Sequence, residues 1–121
     1  MKRLALVDKR VFPRIAPTVL RVGVEQDGER REAYVLNISL GGAFLVLDHP
    51  PAPDEAAKLE IVLPWGLGEC QIEATAVWNQ KDETGRSIGA GLAFESVAEE
   101  DKQKLQRYLD HFVALTEEIT A

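Results

Sequence analysis

Asn37-Ile38-Ser39-Leu40-Gly41-Gly42 is the stretch from which the rest of the fold can be read. The run before it, Ala33-Tyr34-Val35-Leu36, is rich in strand-forming residues, and the run after it, Ala43-Phe44-Leu45-Val46-Leu47, is almost wholly apolar. A short polar stretch with glycines between two such runs is typical of a turn between two buried strands. The stretch therefore predicts a sheet corner with an exposed backbone, where a ligand has room to approach.

Short strands are predicted on both sides of this corner. Asp27-Gly28 is a strong signal for a tight hairpin, and the other breaks are rich in Gly, Pro and Asp. The predicted strands cover residues 18–25, 31–38, 43–47, 58–63, 69–80 and 87–95. Along the fifth strand the apolar residues alternate from Cys70 to Trp78, which predicts that these two side chains share one face. Six short strands predict a mainly β fold, a six-stranded antiparallel barrel or a sandwich.

The periodicity changes from strand to helix after the last predicted strand. Ser96-Val97-Ala98-Glu99 has the form of a capping box, which predicts a helix start at this point. Apolar residues then recur at helical spacing, at Leu105, Tyr108, Leu109, Phe112 and Ile119. We expect one α-helix over about 97–119 that closes the barrel, with its apolar stripe packed on the core rather than on a partner.

Length and composition indicate a single domain. The chain has 121 residues, of which 45% are hydrophobic, and it contains no apolar run near the roughly 18 residues that would span a bilayer. The apolar run at the N-terminus is too short for a secretory signal, and a single cysteine, Cys70, excludes an internal disulfide. These features predict a soluble, cytoplasmic protein that does not insert into a membrane.

The charge is divided unevenly along the chain. Residues 1–21 hold six Lys or Arg and one acid, a net charge of +5, whereas the rest carries −11. An acidic body argues against DNA or RNA binding, including the single-stranded binding known for small barrels. Pro13 and Pro17 favour an extended backbone. We therefore expect residues 1–17 to form a flexible basic arm and residues 18–121 to form the barrel and its helix.

Candidate binding side chains occur on the arm and at the corner. In an extended chain Arg10 and Arg14 point to the same side, and guanidinium groups bind phosphate oxygens and stack on or hydrogen-bond to guanine. Asn37 and Ser39, two apart at a strand end, supply an amide and a hydroxyl on one side. Gly42 lets a ligand approach the backbone without a Cβ in the way.

Catalytic patterns find little support in the sequence. His49 and His111 lie far apart in the chain and match no triad or metal-ligand spacing. Cys70 begins an apolar strand face and is interpreted as a core residue. Gly41-Gly42 lacks the lysine and the following helix of a phosphate-binding loop. The sequence therefore predicts neither an enzyme nor a metal site.

The two candidate motifs together resemble a known family. Arg10-Val11-Phe12-Pro13-Arg14, followed by Asn37 to Gly42, resembles the RxxxR and [D/N]xSxxG motifs of PilZ domains, which are bacterial receptors for cyclic di-GMP. Val77-Trp78, Gly91-Leu92-Ala93-Phe94 and the closing helix are similar to the family pattern as well. The resemblance implies a six-stranded PilZ-like split barrel that binds cyclic di-GMP and needs no cofactor.

The resemblance also implies roles for individual residues. Arg10 and Arg14 would bind phosphates and guanine, Asn37 and Ser39 would hydrogen-bond the nucleotide, and Gly42 would shape the turn. The sequence departs from the family in having Asn37 where aspartate is commoner, which removes a negative charge from the guanine-binding position. It also has lysine where a further arginine often precedes the first motif. Possible additional contacts are Lys9, Gly41 and Trp78.

Two mechanisms remain open at the level of sequence. In the first, cyclic di-GMP orders the basic arm against the barrel, and the rearranged surface meets a downstream protein partner in motility or biofilm regulation. In the second, the chain is a nucleotide-independent adaptor with a PilZ-like fold. The sequence names no partner for either mechanism.

Overall fold

The computed structural model describes the backbone of residues 20–120 and the side chains of residues 20–111. Lys9, Arg10 and Arg14, and with them the predicted arm, lie outside the described residues. The described elements are β1 (Arg21–Gln26), β2 (Glu29–Ile38), β3 (Gly42–Val46), β4 (Ala56–Leu63), β5 (Gly68–Lys81), β6 (Ser87–Val97) and α1 (Glu99–Thr120). Six strands followed by one helix confirm the predicted mainly β fold.

The six strands form a closed antiparallel barrel in the order β1-β2-β3-β6-β5-β4, in which β4 pairs with β1 to complete the ring. The two-residue loop between β1 and β2 holds Asp27 at φ 54° and Gly28 at φ 82°. Positive φ at both positions is what a tight hairpin turn requires, so the Asp-Gly signal correctly predicted this connection. Within the described part of the chain, no helix is long and apolar enough to cross a membrane.

The barrel interior is filled by alternate residues of each strand, as the period of two requires. On β4 these residues are Ala57, Leu59, Ile61 and Leu63, all at most 5% exposed. Three residues of the helical stripe join this core, namely Leu105, Tyr108 and Leu109. Burial raises the pKa of the Tyr108 hydroxyl. The stripe therefore packs on the core as predicted, as far as the described side chains extend.

The predicted capping box is wrong. Ser96 lies in β6, where it pairs with Glu73 of β5, and the strand continues through Val97. The helix begins one residue after Ala98, whose carbonyl oxygen accepts a hydrogen bond from the N–H of Lys102 at 2.9 Å. Strand pairing, which involves a partner 23 residues away, overrides the local capping preference of Ser96.

The start of the helix is bound to β5 through Asp101. Its Oδ2 accepts the backbone N–H of Gln71 at 3.0 Å, and its carbonyl oxygen accepts the thiol of Cys70 at 3.3 Å. Lys104 Nζ lies 3.4 Å from Asp101 Oδ1 and donates to the carbonyl oxygen of Glu69 at 3.2 Å. Cys70 is fully buried, and burial raises its pKa to about 11, which agrees with its predicted place in the core.

Candidate functional site

Ser39 closes the corner between β2 and β3. Its N–H donates to the carbonyl oxygen of Gly42 at 2.8 Å, and its Oγ accepts the N–H of Gly41 at 3.1 Å. The hydroxyl also lies 3.4 Å from the Gly42 carbonyl oxygen, to which it donates, and the residue is only 2% exposed. The side chain thus stabilises the turn of the predicted motif, and its hydrogen bond to a nucleotide stays a prediction.

A β-bulge just before this corner turns the end of β2. Val35 pairs with Leu45 and Asn37 with Phe44, so Leu36 is the extra residue between them. Leu36 is 54% exposed, and Asn37 is half-buried beside it. The bulge therefore places Asn37 in line with the outer face of the neighbouring strands.

One row of residues crosses four strands at this level. Asn37 pairs with Phe44, Phe44 with Gly91, and Gly91 with Trp78. Directly paired residues point to the same side of a sheet. The rings of Phe44 and Trp78 stack at a centroid distance of 5.1 Å with 21° between their planes. The two rings meet because the strand between them has a glycine at this position.

Two glycines of β6 form the floor beneath the rings. A Cβ on Gly91 would overlap the indole ring of Trp78. A Cβ on Gly89 would lie 2.7 Å from both the Leu45 carbonyl oxygen and the Phe44 ring. Real Cβ atoms do not approach other atoms this closely, so a side chain at either position would force the rings or the backbone to move.

Trp78 does not share the face of Cys70, and that prediction is wrong. Ala76 pairs with Leu92 and Trp78 with Gly91, so Val77 is an extra residue in β5. A single inserted residue shifts the alternation by one position. Trp78 therefore lies on the outer surface, where it is 45% exposed. Its contact with a nucleotide stays a prediction.

The loop between β3 and β4 holds this bulge in place. The N–H of Asp54 donates to the carbonyl oxygen of Ala76 at 2.8 Å. The N–H of Ala76 in turn donates to the carbonyl oxygen of Glu55 at 2.9 Å. The Asn79 amide donates to the carbonyl oxygen of Pro51 at 2.9 Å. The backbone of Ala76 before Trp78 and the side chain of Asn79 after it are therefore both bonded to one loop, which holds this part of β5 in place.

A groove of about 340 Å³ lies over this row on the outer face of the barrel. This volume is at the lower end of the roughly 300 to 1,000 Å³ that small-molecule sites occupy. Among the described residues that the sequence predicts for the site, Asn37 lines this groove, and the corner formed by Ser39, Gly41 and Gly42 follows Asn37 along the chain. The described residues that line the groove are Leu36, Asn37, Phe44, Val46, Trp78, Gln80 and Ile88.

Sequence reasoning missed most of the groove lining. Phe44 and Val46 lie on β3 and Gln80 lies on β5, and these two strands are brought together only because both pair with β6. The one local signal was Gly89-Ala90-Gly91, since two glycines on one face of a strand indicate a close approach by other groups.

A second hollow of about 550 Å³ lies at the β1–β2 hairpin end of the barrel. Its lining includes four carboxylates, from Glu25, Asp27, Glu73 and Glu95, and one ammonium, from Lys58. This excess of negative charge disfavours an anionic ligand. Among the described side chains, no group of three or more His, Cys, Asp or Glu is placed to hold a metal ion.

The sequence of the chain matches the family model of the PilZ domain over residues 8–111. The chain belongs to the PilZ domain family. This family assignment agrees with the closed barrel, the C-terminal helix and the position of the [D/N]xSxxG corner. No curated protein matches the chain significantly.

Several solved structures share the fold of this PilZ domain. Escherichia coli YcgR in complex with c-di-GMP has a TM-score of 0.75 at 19% identity, over 94% of this chain and 50% of that one. Bacillus subtilis MotI/DgrA, an inhibitor of motility, has a TM-score of 0.70 at 23% identity, over 89% of this chain and 53% of that one. The PilZ domain of YcgR with c-di-GMP has a TM-score of 0.66 at 18% identity, and the match covers 93% of this chain and 98% of that domain. This chain therefore spans about half the length of the first two proteins.

Proposed function

We propose that this PilZ domain is a bacterial receptor for cyclic di-GMP, without catalytic activity, that binds the nucleotide in the groove over β2, β3, β6 and β5. One observation carries the proposal: Asn37 and the stacked rings of Phe44 and Trp78 line one groove beside the [D/N]xSxxG corner. The complexes of YcgR with c-di-GMP support the choice of ligand.

Each part of the site has a chemical role in this proposal. The exposed indole of Trp78 offers a flat apolar surface to a guanine ring, and the Asn37 amide offers donors and an acceptor to its edge. Arg10 and Arg14 bind the phosphates and the second guanine from the arm. Ser39 and Gly42 hold the corner, and Lys9 and Gly41 are possible further contacts.

Charge explains why the arm is needed. Residues 18–121 carry a net charge of −10 (nine Lys or Arg and nineteen acids), whereas the arm of residues 1–17 carries +4 (five Lys or Arg and one acid) and cyclic di-GMP has two negative phosphates. The barrel alone would repel the ligand over distances within the screening length of about 10 Å at 0.1 M salt. The basic arm therefore folds over the bound nucleotide, and the changed surface is what a cytoplasmic protein partner recognises.

Calorimetric titration with cyclic di-GMP tests the proposal. We expect the Arg10→Ala/Arg14→Ala variant to lose at least tenfold in affinity, since a hydrogen bond to a charged group contributes about 1.5 to 3 kcal/mol. Lys2→Ala/Arg3→Ala removes the same charge from the same segment and is the matched control, with a small expected effect. Equal losses in both variants would assign the effect to net charge alone. No binding by the wild type at tens of micromolar would reject the receptor.

Trp65, an exposed aromatic residue outside the groove, favours a second candidate function, that of a nucleotide-independent adaptor. This residue has φ 61° in the turn between β4 and β5, is 52% exposed and does not line the groove. Its ring contacts Tyr108 and His111 of the helix at centroid distances of 5.4 and 4.6 Å. An exposed tryptophan on a strained backbone is typical of a protein interface. Partner capture from bacterial lysate that is indifferent to cyclic di-GMP would favour the adaptor.

A further inference from the structure

Three large side chains form an exposed apolar strip on the outer face of β2 and β3. Tyr34 and Leu36 are each 54% exposed, and Val46 is 40% exposed. Tyr34 and Val46 are direct cross-strand partners, and Leu36 and Val46 also line the groove. The apolar strip therefore extends the groove toward β1. Adjoining exposed apolar side chains of this size mark a surface that another group covers.

The N-terminal segment of the same chain begins next to this strip. The carbonyl oxygen of Leu20 accepts the N–H of Val35 at 2.9 Å, and Leu20 is 3% exposed. Val35 lies between two members of the strip in β2. The eight residue-to-residue steps from Phe12 to Leu20 can span at most about 28 Å. Neighbouring strands are only about 5 Å apart, so residue 12 can reach any part of the strip.

The sequence of that segment offers an apolar group beside the two arginines. In an extended chain, residues 10, 12 and 14 point to the same side. An extended backbone that directed Arg10 and Arg14 toward the groove would therefore direct Phe12 toward the barrel as well. A phenyl ring is the apolar counterpart that the strip lacks among the described residues, and the charge of +4 on residues 1–17 favours contact with the acidic body.

We propose that the apolar strip is the docking surface for Phe12 of this chain, and that Phe12 occupies it before any nucleotide binds. The docked ring acts as a fixed anchor that holds Arg10 and Arg14 near the groove. Nucleotide binding then needs to order only the residues around this anchor, which lowers its entropic cost. This last step rests on the proposed function, whereas the docking itself does not.

Tryptophan emission without nucleotide tests the docking. Phe12→Trp in a Trp65→Phe/Trp78→Phe background leaves one indole, whose emission we expect at a shorter wavelength than in the urea-unfolded protein. Val46→Ser should move that emission toward the unfolded value. Val62→Ser is the matched control, because Val62 is 52% exposed on β4 and does not line the groove, and it should change nothing. Circular dichroism checks that each variant is folded.

Three results would overturn the docking proposal: an emission like that of the unfolded protein, equal shifts with Val46→Ser and Val62→Ser, or a shift that depends on protein concentration. The last result would show that a second copy covers the strip. Calorimetry of the wild type with cyclic di-GMP is independent of these measurements. If the wild type does not bind the nucleotide, the emission result still decides whether Phe12 docks. If Phe12 does not dock, the calorimetry still decides whether the protein is a receptor for cyclic di-GMP.

Discussion

Phe44 and Trp78 stack on each other although their strands are not neighbours, because Gly91 of the strand between them has no side chain. Flanking strands in a sheet are separated by about 10 Å, which two aromatic rings can bridge only when the middle position is empty. The shape of the groove therefore depends on this glycine at least as much as on the two rings that line it.

Gly91→Ala should destabilise the protein by about 1 to 3 kcal/mol, since its Cβ would overlap the Trp78 indole. The same substitution in a Trp78→Ala background should cost much less, because the overlapping ring is gone. Urea unfolding of the four proteins gives the coupling between the two positions. An equal cost in both backgrounds would show that the glycine is needed for the backbone rather than for the ring.

Ser39→Ala should lower the free energy of unfolding by about 1 to 3 kcal/mol, because the Gly41 N–H loses its acceptor. Ser96→Ala is the control at an exposed strand position, with an expected change within about 0.5 kcal/mol. Urea unfolding measures both. If Ser39→Ala instead weakens cyclic di-GMP binding at unchanged stability, the hydroxyl is a ligand contact rather than a turn residue.

Asn37→Asp should tighten cyclic di-GMP binding roughly fivefold. An ionised acceptor forms a hydrogen bond stronger than a neutral one by about 1 kcal/mol, and the position lies in the groove. Calorimetry at fixed salt measures the change. Weaker binding by the aspartate variant would mean that the amide N–H₂ of Asn37, and not its oxygen, makes the contact.

Asp101→Ala should cost about 1 to 3 kcal/mol, since it leaves the N–H of Gln71 without its acceptor where the helix meets β5. Glu100→Ala removes an exposed acid from the same helical turn and should cost at most about 0.5 kcal/mol. Thermal unfolding of both variants compares the hydrogen bond with the general effect of charge at a helix start. Equal costs would contradict a specific role for Asp101.

The Cys70 thiol should make the protein less stable at high pH. Its pKa is raised by burial from 9.0 to about 11, so the folded state favours the neutral thiol. This contribution is complete below about pH 9 and is lost as the pH rises toward 11. Urea midpoints of the wild type and Cys70→Ala should therefore converge over that interval. Parallel pH dependence in the two proteins would contradict the prediction.

The strands and the first hairpin could be predicted because their signals are local. The residues Asp27 and Gly28 are by themselves enough to predict the turn. The alternation of apolar and polar residues along β4 follows from the burial of one face of that strand. The predicted strand ends differ from the observed ones by at most three residues, since pairing with a neighbour decides where a strand stops.

The features that the sequence did not reveal depend on contacts between distant residues. A local pattern does not show that Ser96 pairs with Glu73, and it therefore favours a helix cap at this position. The bulge at Val77 leaves no signal in the sequence, so the alternation along β5 predicts the wrong face for Trp78. The sequence therefore predicts Asn37 and the corner that follows it, but it does not predict most of the other residues that line the groove.

Closure of the barrel limits how this domain can associate with other proteins. Each of the six described strands has a neighbour on both sides, so the ring has no edge on which a foreign strand can extend the sheet. Contacts with other molecules must instead use side chains on the outside. Because these side chains carry little of the fold's stability, binding specificity can change through surface substitutions while the scaffold stays the same.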